Sequence, residues 1–211
     1  MMVKQKYTEE ILNSISHGIA AIGSIIGFIA LIIFSSSNEK WILFSTIIYG
    51  LSIIILYTSS ALYHAVRNEK IKHVFRVLDH CSIFILIAGT YTPIVLISIG
   101  GSTGWWIFGI QWTLVLIGLI FKIFYTGKYE IISILIYIIM GWMITFKWNY
   151  LTNAISDSAF NLLLAGGIIY TIGIFFYLFD SKIKYFHFVW HLFVMTGSIL
   201  HYIVIFKYVV N

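Results

Sequence analysis

Seven apolar runs separated by short polar segments dominate the chain, at approximately 16–35, 41–64, 79–99, 105–122, 130–148, 160–179 and 186–206. A bilayer core takes about 20 apolar residues per helical crossing, and a helix satisfies its own backbone hydrogen bonds in lipid. The pattern therefore predicts an all-α protein, a seven-transmembrane helix bundle occupying 1–211 as a single membrane domain. Composition agrees: 60% of the residues are hydrophobic and 10% charged, against roughly 25% charged in a soluble domain. The 211 residues leave no room for a soluble domain beside seven spans. The first apolar run lacks a small-residue cleavage site and reads as a retained span, not a removed signal peptide.

Charge adds an orientation. With the N-terminus inside, Lys4, Lys6, Arg67, Lys70, Lys72, Arg76, Lys122, Lys128, Lys182 and Lys184 fall on the inner side, and only Lys40, Lys147 and Lys207 on the outer. Positive residues accumulate on the cytoplasmic side of short loops, so a cytoplasmic N-terminus and an outside C-terminus are expected. Trp41, Trp105, Trp106 and Trp148 fall at the outer ends of spans, the interfacial depth Trp prefers. The net charge of +5 is thus a topology signal, and no nucleic-acid partner is expected. The single cysteine, Cys81, excludes an internal disulfide and reads as a small buried side chain. Pro93 deprives the Gly89 carbonyl of its helical partner, which predicts a bend in span three.

Ionisable residues inside spans are costly, and so are candidates for function. The histidines are His17, His64, His73, His80, His187, His191 and His201. His73 reads as a solvated loop residue and His201 as interfacial at the outer end. His17, His64, His80, His187 and His191, with Asp79, all fall towards the cytoplasmic end. In "FHFVWHLF", His187 and His191 stand at i and i+4, on one helix face and about 6 Å apart along the axis. Two such imidazoles form half of a zinc site, and a third from another helix at the same depth completes a set of three that leaves a position for water. His64, which follows Ser60 by one turn in "SSALYH", is the best candidate for that third ligand, against the alternative of buried helix-end histidines. Asp79 is the only acid placed on this rim on an apolar helix. It reads both as a helix-start carboxylate favoured by the dipole and as a base for water.

Three motifs carry a resemblance to a known family: "EILNSISH" with Glu10, Asn13 and His17; "SALYH" followed by "FRVLDH" with Ser60, His64 and Asp79; and "HFVWH" with His187 and His191. The chain resembles the progestin and adipoQ receptor family, most closely its bacterial hemolysin III-like branch, over essentially its whole length. The resemblance implies a seven-helix fold with Zn2+ bound by His64, His187 and His191 near the cytoplasmic face, Asp79 approaching the metal through a water, and Ser60 close to that water. Glu10, Asn13 and His17 correspond to the family's first motif and are assigned supporting or networking roles. The absence of a long N-terminal domain puts adiponectin binding out of consideration, and there is no eighth span. The family is also similar to alkaline ceramidases in its histidine, serine and aspartate pattern.

Several readings compete. One is a zinc-dependent intramembrane hydrolase of lipid amides, with a membrane lipid or fatty-acyl ligand as partner, Asp79 as base and Ser60 positioning water or stabilising an oxyanion. A second is a non-catalytic sensor or regulator of the membrane in which zinc clasps spans two, three and seven. A third, following the branch's name, is a pore-forming cytolysin, which the sequence does little to favour. Haem held between His64 and His191 is a fourth, disfavoured because two histidines a turn apart suit a compact ion. In each case the expected location is a bacterial plasma membrane.

Overall fold

The computed structural model describes residues 7–35 and 41–211, and every described element is helical. Among the described residues, seven helices are long and apolar enough to cross a membrane: α1 (Tyr7–Phe34), α2 (Ile42–Ala65), α3 (Glu69–Ile99), α4 (Gly101–Tyr125), α5 (Glu130–Ala154), α6 (Asp157–Phe179) and α7 (Phe186–Val209). Lys4, Lys6 and Lys40 of the orientation argument lie outside the described residues. Helix α1 packs on α2 and α7, α2 on α3, α3 on α4 and α5, α5 on α6, and α6 on α7, which closes the ring. The most enclosed span is α3. Its Phe84 and Ala88 meet Val115 of α4 and Met140 of α5 in one apolar cluster. Outward faces carry large apolar side chains such as Ile19, Ile26, Ile33, Phe124 and Ile131, a surface that only lipid or another apolar partner can cover.

Local chemistry explains where the helices begin and bend. Asn68 caps α3, its side-chain oxygen accepting from the amides of Lys70 (3.1 Å) and Ile71 (3.2 Å). This cap starts the helix ten residues before the apolar run expected at 79, so the basic segment is helical and His73 is an exposed helix residue, not a loop residue. Helix α1 likewise begins at Tyr7, ahead of the run expected at 16. At Pro93 the α-helix passes into a π-helical stretch, Ile94–Ile99, which accommodates the missing amide. Gly100 and Gly101, both at positive φ (63° and 56°), then reverse the chain into α4 with a conformation that costs glycine little.

Helix α5 is broken in its middle, α-helical to Trp142, 3-10 over Met143–Lys147 and α-helical again over Trp148–Ala154. The groups near the break are received by neighbours. The Tyr91 hydroxyl donates to the Gly141 carbonyl (2.7 Å) and accepts from the Ile144 amide (3.1 Å), and Gln111 Nε2 donates to the Met140 carbonyl (2.9 Å). Unmet backbone groups in a membrane interior are costly, so α3 and α4 stabilise the irregularity of α5. Two charged or polar residues sit differently from their sequence reading. Lys122 is fully buried in α4 and paired with Glu130 Oε2 at 2.5 Å, so it is no loop charge. His201 is a half-buried helix residue whose Nε2 donates to the Leu163 carbonyl at 3.0 Å.

Candidate metal centre

The last turn of α2 and the first two turns of α7 meet at the same end of the bundle. His64 sits on α2 one turn after Ser60, and His187 and His191 occupy successive turns of α7. Tyr185 just before α7 adopts the left-handed conformation (φ 64°), and its amide donates to Glu9 Oε1 of α1 at 2.9 Å. Helix α1 therefore holds the start of α7 in place. With these constraints, His64, His187 and His191 present ligand atoms that all lie within 4.8 Å of one another. The ring centroids are 5.1 Å apart for His64–His187 and His64–His191 and 4.8 Å for His187–His191. His64 and His191 are buried, and His187 is half-buried.

The outer contacts fix how each imidazole faces. His64 Nδ1 lies 2.8 Å from Glu10 Oε2, and His187 Nδ1 lies 2.7 Å from Asp180 Oδ2. An ionised carboxylate only accepts, so Nδ1 donates in both cases and Nε2 keeps its lone pair. The His64 Nε2 atom is buried and has no hydrogen-bond partner among the described residues. His191 Nδ1 lies 3.3 Å from Ser16 Oγ, and that hydroxyl donates to the Asn13 carbonyl at 2.9 Å. This leaves the Ser16 oxygen to accept from His191. Lys72 Nζ, 3.1 Å from Glu10 Oε2, balances the charge of Glu10. Imidazoles whose second nitrogen donates to a carboxylate or hydroxyl are the arrangement that orients metal ligands. Three neutral nitrogen donors with these supports can hold a metal ion, and an all-imidazole set suits zinc, copper, iron or nickel over calcium or magnesium.

The other sequence candidates divide. The Asp79 carboxylate engages the Ser60 hydroxyl and lies 3.5 Å from His80 Nδ1, so Asp79 and Ser60 share one corner, and the charge of Asp79 acts on His64 and His17. His17 lies flat against His191, centroids 3.6 Å apart and planes 9° apart, and edge-on to Tyr57 at 5.0 Å. Glu10 and Asn13 act as described above. His80 turns away: its Nδ1 donates to the Arg76 carbonyl (2.8 Å), and its Nε2 faces Tyr177 and Glu130. Asp79 is not the only acid at this rim, because Glu9, Glu10, Asp180 and Glu130 stand there too.

Asp180, Ser16 and Lys72 were missed by sequence reasoning. Asp180 had one usable signal, a carboxylate in the short turn that leads into "FHFVWH". Ser16 and Lys72 had none, because only tertiary packing brings them to the imidazoles. Glu10→Gln and Asp180→Asn are each expected to weaken metal binding by roughly 10–100-fold, as loss of an orienting partner does. Competition against a chromophoric chelator reads this, and affinities equal to wild type would make both carboxylates mere packing contacts.

Comparison with known proteins completes the picture. Residues 5–202 match the family described as haemolysin-III related. The chain is 43% identical over 202 residues to "Hemolysin-3" of Bacillus cereus, covering 95% of this chain and 92% of that protein. It is 40% identical over 191 residues to the "Hemolysin-3 homolog" of Bacillus subtilis (strain 168), covering 90% and 89%. A more distant similarity, 27% over 209 residues and covering 95% and 84%, links it to "Monocyte to macrophage differentiation factor" of Homo sapiens. Seven apolar helices and a cluster of three close histidines go with these matches, and the chain is a multi-pass membrane protein that belongs to the haemolysin-III-related family.

Proposed function

We propose that the protein is a zinc-dependent hydrolase of lipid amides in a bacterial plasma membrane, with the histidine end of the bundle facing the cytoplasm. The observation that carries the reading is the trio His64, His187 and His191, with ligand atoms within 4.8 Å and Nδ1 of each engaged by Glu10, Asp180 or Ser16. The unpartnered Nε2 of His64 is the fit such an ion requires. Three imidazoles leave a coordination position open, as catalytic zinc sites do. Zinc held there supplies Lewis acidity towards an amide carbonyl and towards water.

The chain's own residues complete the chemistry. Asp79 is the base that takes a proton at a carboxylate oxygen, with the Ser60 hydroxyl keeping that carboxylate in place. The Ser60 hydroxyl also positions water or stabilises a developing oxyanion. A lipid partner is supported by the large apolar side chains that the outward faces expose, such as Ile19, Ile26 and Ile131, which set the bundle against membrane lipid.

Asp79→Asn is expected to keep its zinc and to lose roughly 10²–10⁴-fold in turnover of a long-chain N-acyl lipid, the range general-base removal covers. Metal analysis beside product detection in detergent tests both halves. Undiminished turnover by metal-stripped wild type overturns the reading. Zinc-loaded wild type that forms no product overturns the hydrolase and leaves zinc as a structural clasp between helices.

A further inference from the structure

Among the described residues, the lysines and arginines at the histidine end of the bundle are either paired or exposed, with one exception. Lys72 meets Glu10 at 3.1 Å, Lys122 meets Glu130 at 2.5 Å, and Arg67 donates to the Tyr7 hydroxyl. Lys70, Lys128, Lys182 and Lys184 are exposed. Arg76, in the second turn of α3, is half-buried, and its Nε is buried with no hydrogen-bond partner among the described residues. The carboxylates nearby are committed elsewhere. Asp79 engages Ser60, and Glu130 holds Lys122 and the Gly127 amide. A guanidinium does not give up its proton, so Arg76 keeps a full charge at the edge of the bundle without a counter-charge among the described residues.

The guanidinium is nevertheless held in a definite place. Gly127, at φ 83° in the turn between α4 and α5, lies against it: a Cβ there would stand 3.2, 3.4 and 3.5 Å from Nη1, Nη2 and Cζ of Arg76. Three nearly equal distances mean that the flat face of the guanidinium rests on the glycine, which leaves its N–H edge directed past the turn. Lys128, the next residue, is exposed. Tyr125 and Tyr129 flank the same turn, 44% and 61% exposed, at the level of the membrane–water interface that tyrosine favours. The outward faces of α4 and α5 continue from the turn with Ile120, Phe124 and Ile131. Two cations, two interfacial phenols and an apolar surface thus meet at one turn.

We propose that Arg76 and Lys128 bind the phosphate of an anionic phospholipid whose acyl chains lie along the outward faces of α4 and α5. The chemistry selects this ligand. A guanidinium pairs its parallel N–H groups with two oxygens of one phosphate, and a lysine adds a point charge. Basic groups between helices at a membrane face are a recurring receptor for lipid head groups. Free phosphate gains the same charged contacts but leaves the apolar faces uncovered, so the acyl chains favour the lipid. A lipid bound here ties the start of α3 to the α4–α5 turn, whatever the three histidines hold.

Lipid titration of the full chain followed by native mass spectrometry tests this, with phosphatidylglycerol as the probe and diacylglycerol of the same chains as the phosphate-free control. Wild type is expected to bind phosphatidylglycerol more tightly than diacylglycerol by about tenfold or more, and Arg76→Gln to lose about tenfold, the worth of a hydrogen bond to a charged group. Lys128→Gln, at an exposed position of the turn, is expected to lose about fivefold, the worth of one surface lysine against an anionic lipid. It keeps the test open if Arg76→Gln does not fold. Equal binding of the two lipids by wild type, or wild-type affinity in either variant, overturns the proposal. Inorganic phosphate is the third arm: if it displaces phosphatidylglycerol at equal concentration, the site belongs to free phosphate and the lipid is overturned.

Discussion

His191→Ala is expected to take bound zinc from about one ion per chain to near zero, with a loss of affinity beyond a hundredfold. Removing a mere orienting partner already costs roughly 10–100-fold, and His191 is one of the three nitrogen donors that lie within 4.8 Å of one another among the described residues. The same substitution removes the platform on which His17 stacks and frees the Ser16 hydroxyl, so metal loss and a lower Tm should appear together. His201→Ala is the control. His201 bonds the Leu163 carbonyl away from the trio, and its replacement should leave zinc content unchanged. Elemental analysis of the purified proteins decides the matter. Wild type free of zinc, or His191→Ala protein with a full complement, would remove the basis for a metal centre.

A second large effect is expected at the same rim but off the three histidines, between α4 and α5. Lys122 is 0% exposed and pairs with Glu130 Oε2 at 2.5 Å, while the Glu130 side chain remains 25% exposed. Glu130 Oε1 also accepts from the Gly127 amide at 2.9 Å, so one carboxylate joins α4, its following turn and α5. Glu130→Ala leaves a buried ammonium without its counter-charge and should cost about 3–5 kcal/mol. Lys122→Met should cost less, because the acid it abandons still reaches water. The double variant Lys122→Met, Glu130→Leu should recover most of the loss, as apolar replacement of a buried ion pair commonly does. Thermal unfolding in detergent across this cycle reads the coupling. Single variants that melt with wild type would mean the pair contributes nothing.

What the sequence determined by itself was whatever depends on local chemistry. Hydropathy over windows of about 20 residues sets which segments enter lipid, because every apolar run there must close its own backbone hydrogen bonds. The i, i+4 spacing of His187 and His191 puts both on one face of any helix. The same spacing links Ser60 to His64, so half of the trio's geometry and its level in the bundle were legible in advance. Helix starts were less so. Asn68 caps α3 within polar sequence, where hydropathy carries no signal.

Only the tertiary structure decided which charged and polar groups serve the imidazoles. Asp79 and His80 are adjacent in sequence, yet the first shares a corner with Ser60 and the second turns towards Tyr177 and Glu130, because neighbours on a helix point about 100° apart. Glu10 and His64 are 54 residues apart, and Ser16 and His191 are 175 apart. No periodicity along the chain couples positions so distant. Their pairing follows from how α1 lies against α2 and α7, and that is set by side-chain packing over the whole bundle, a property that no single segment contains.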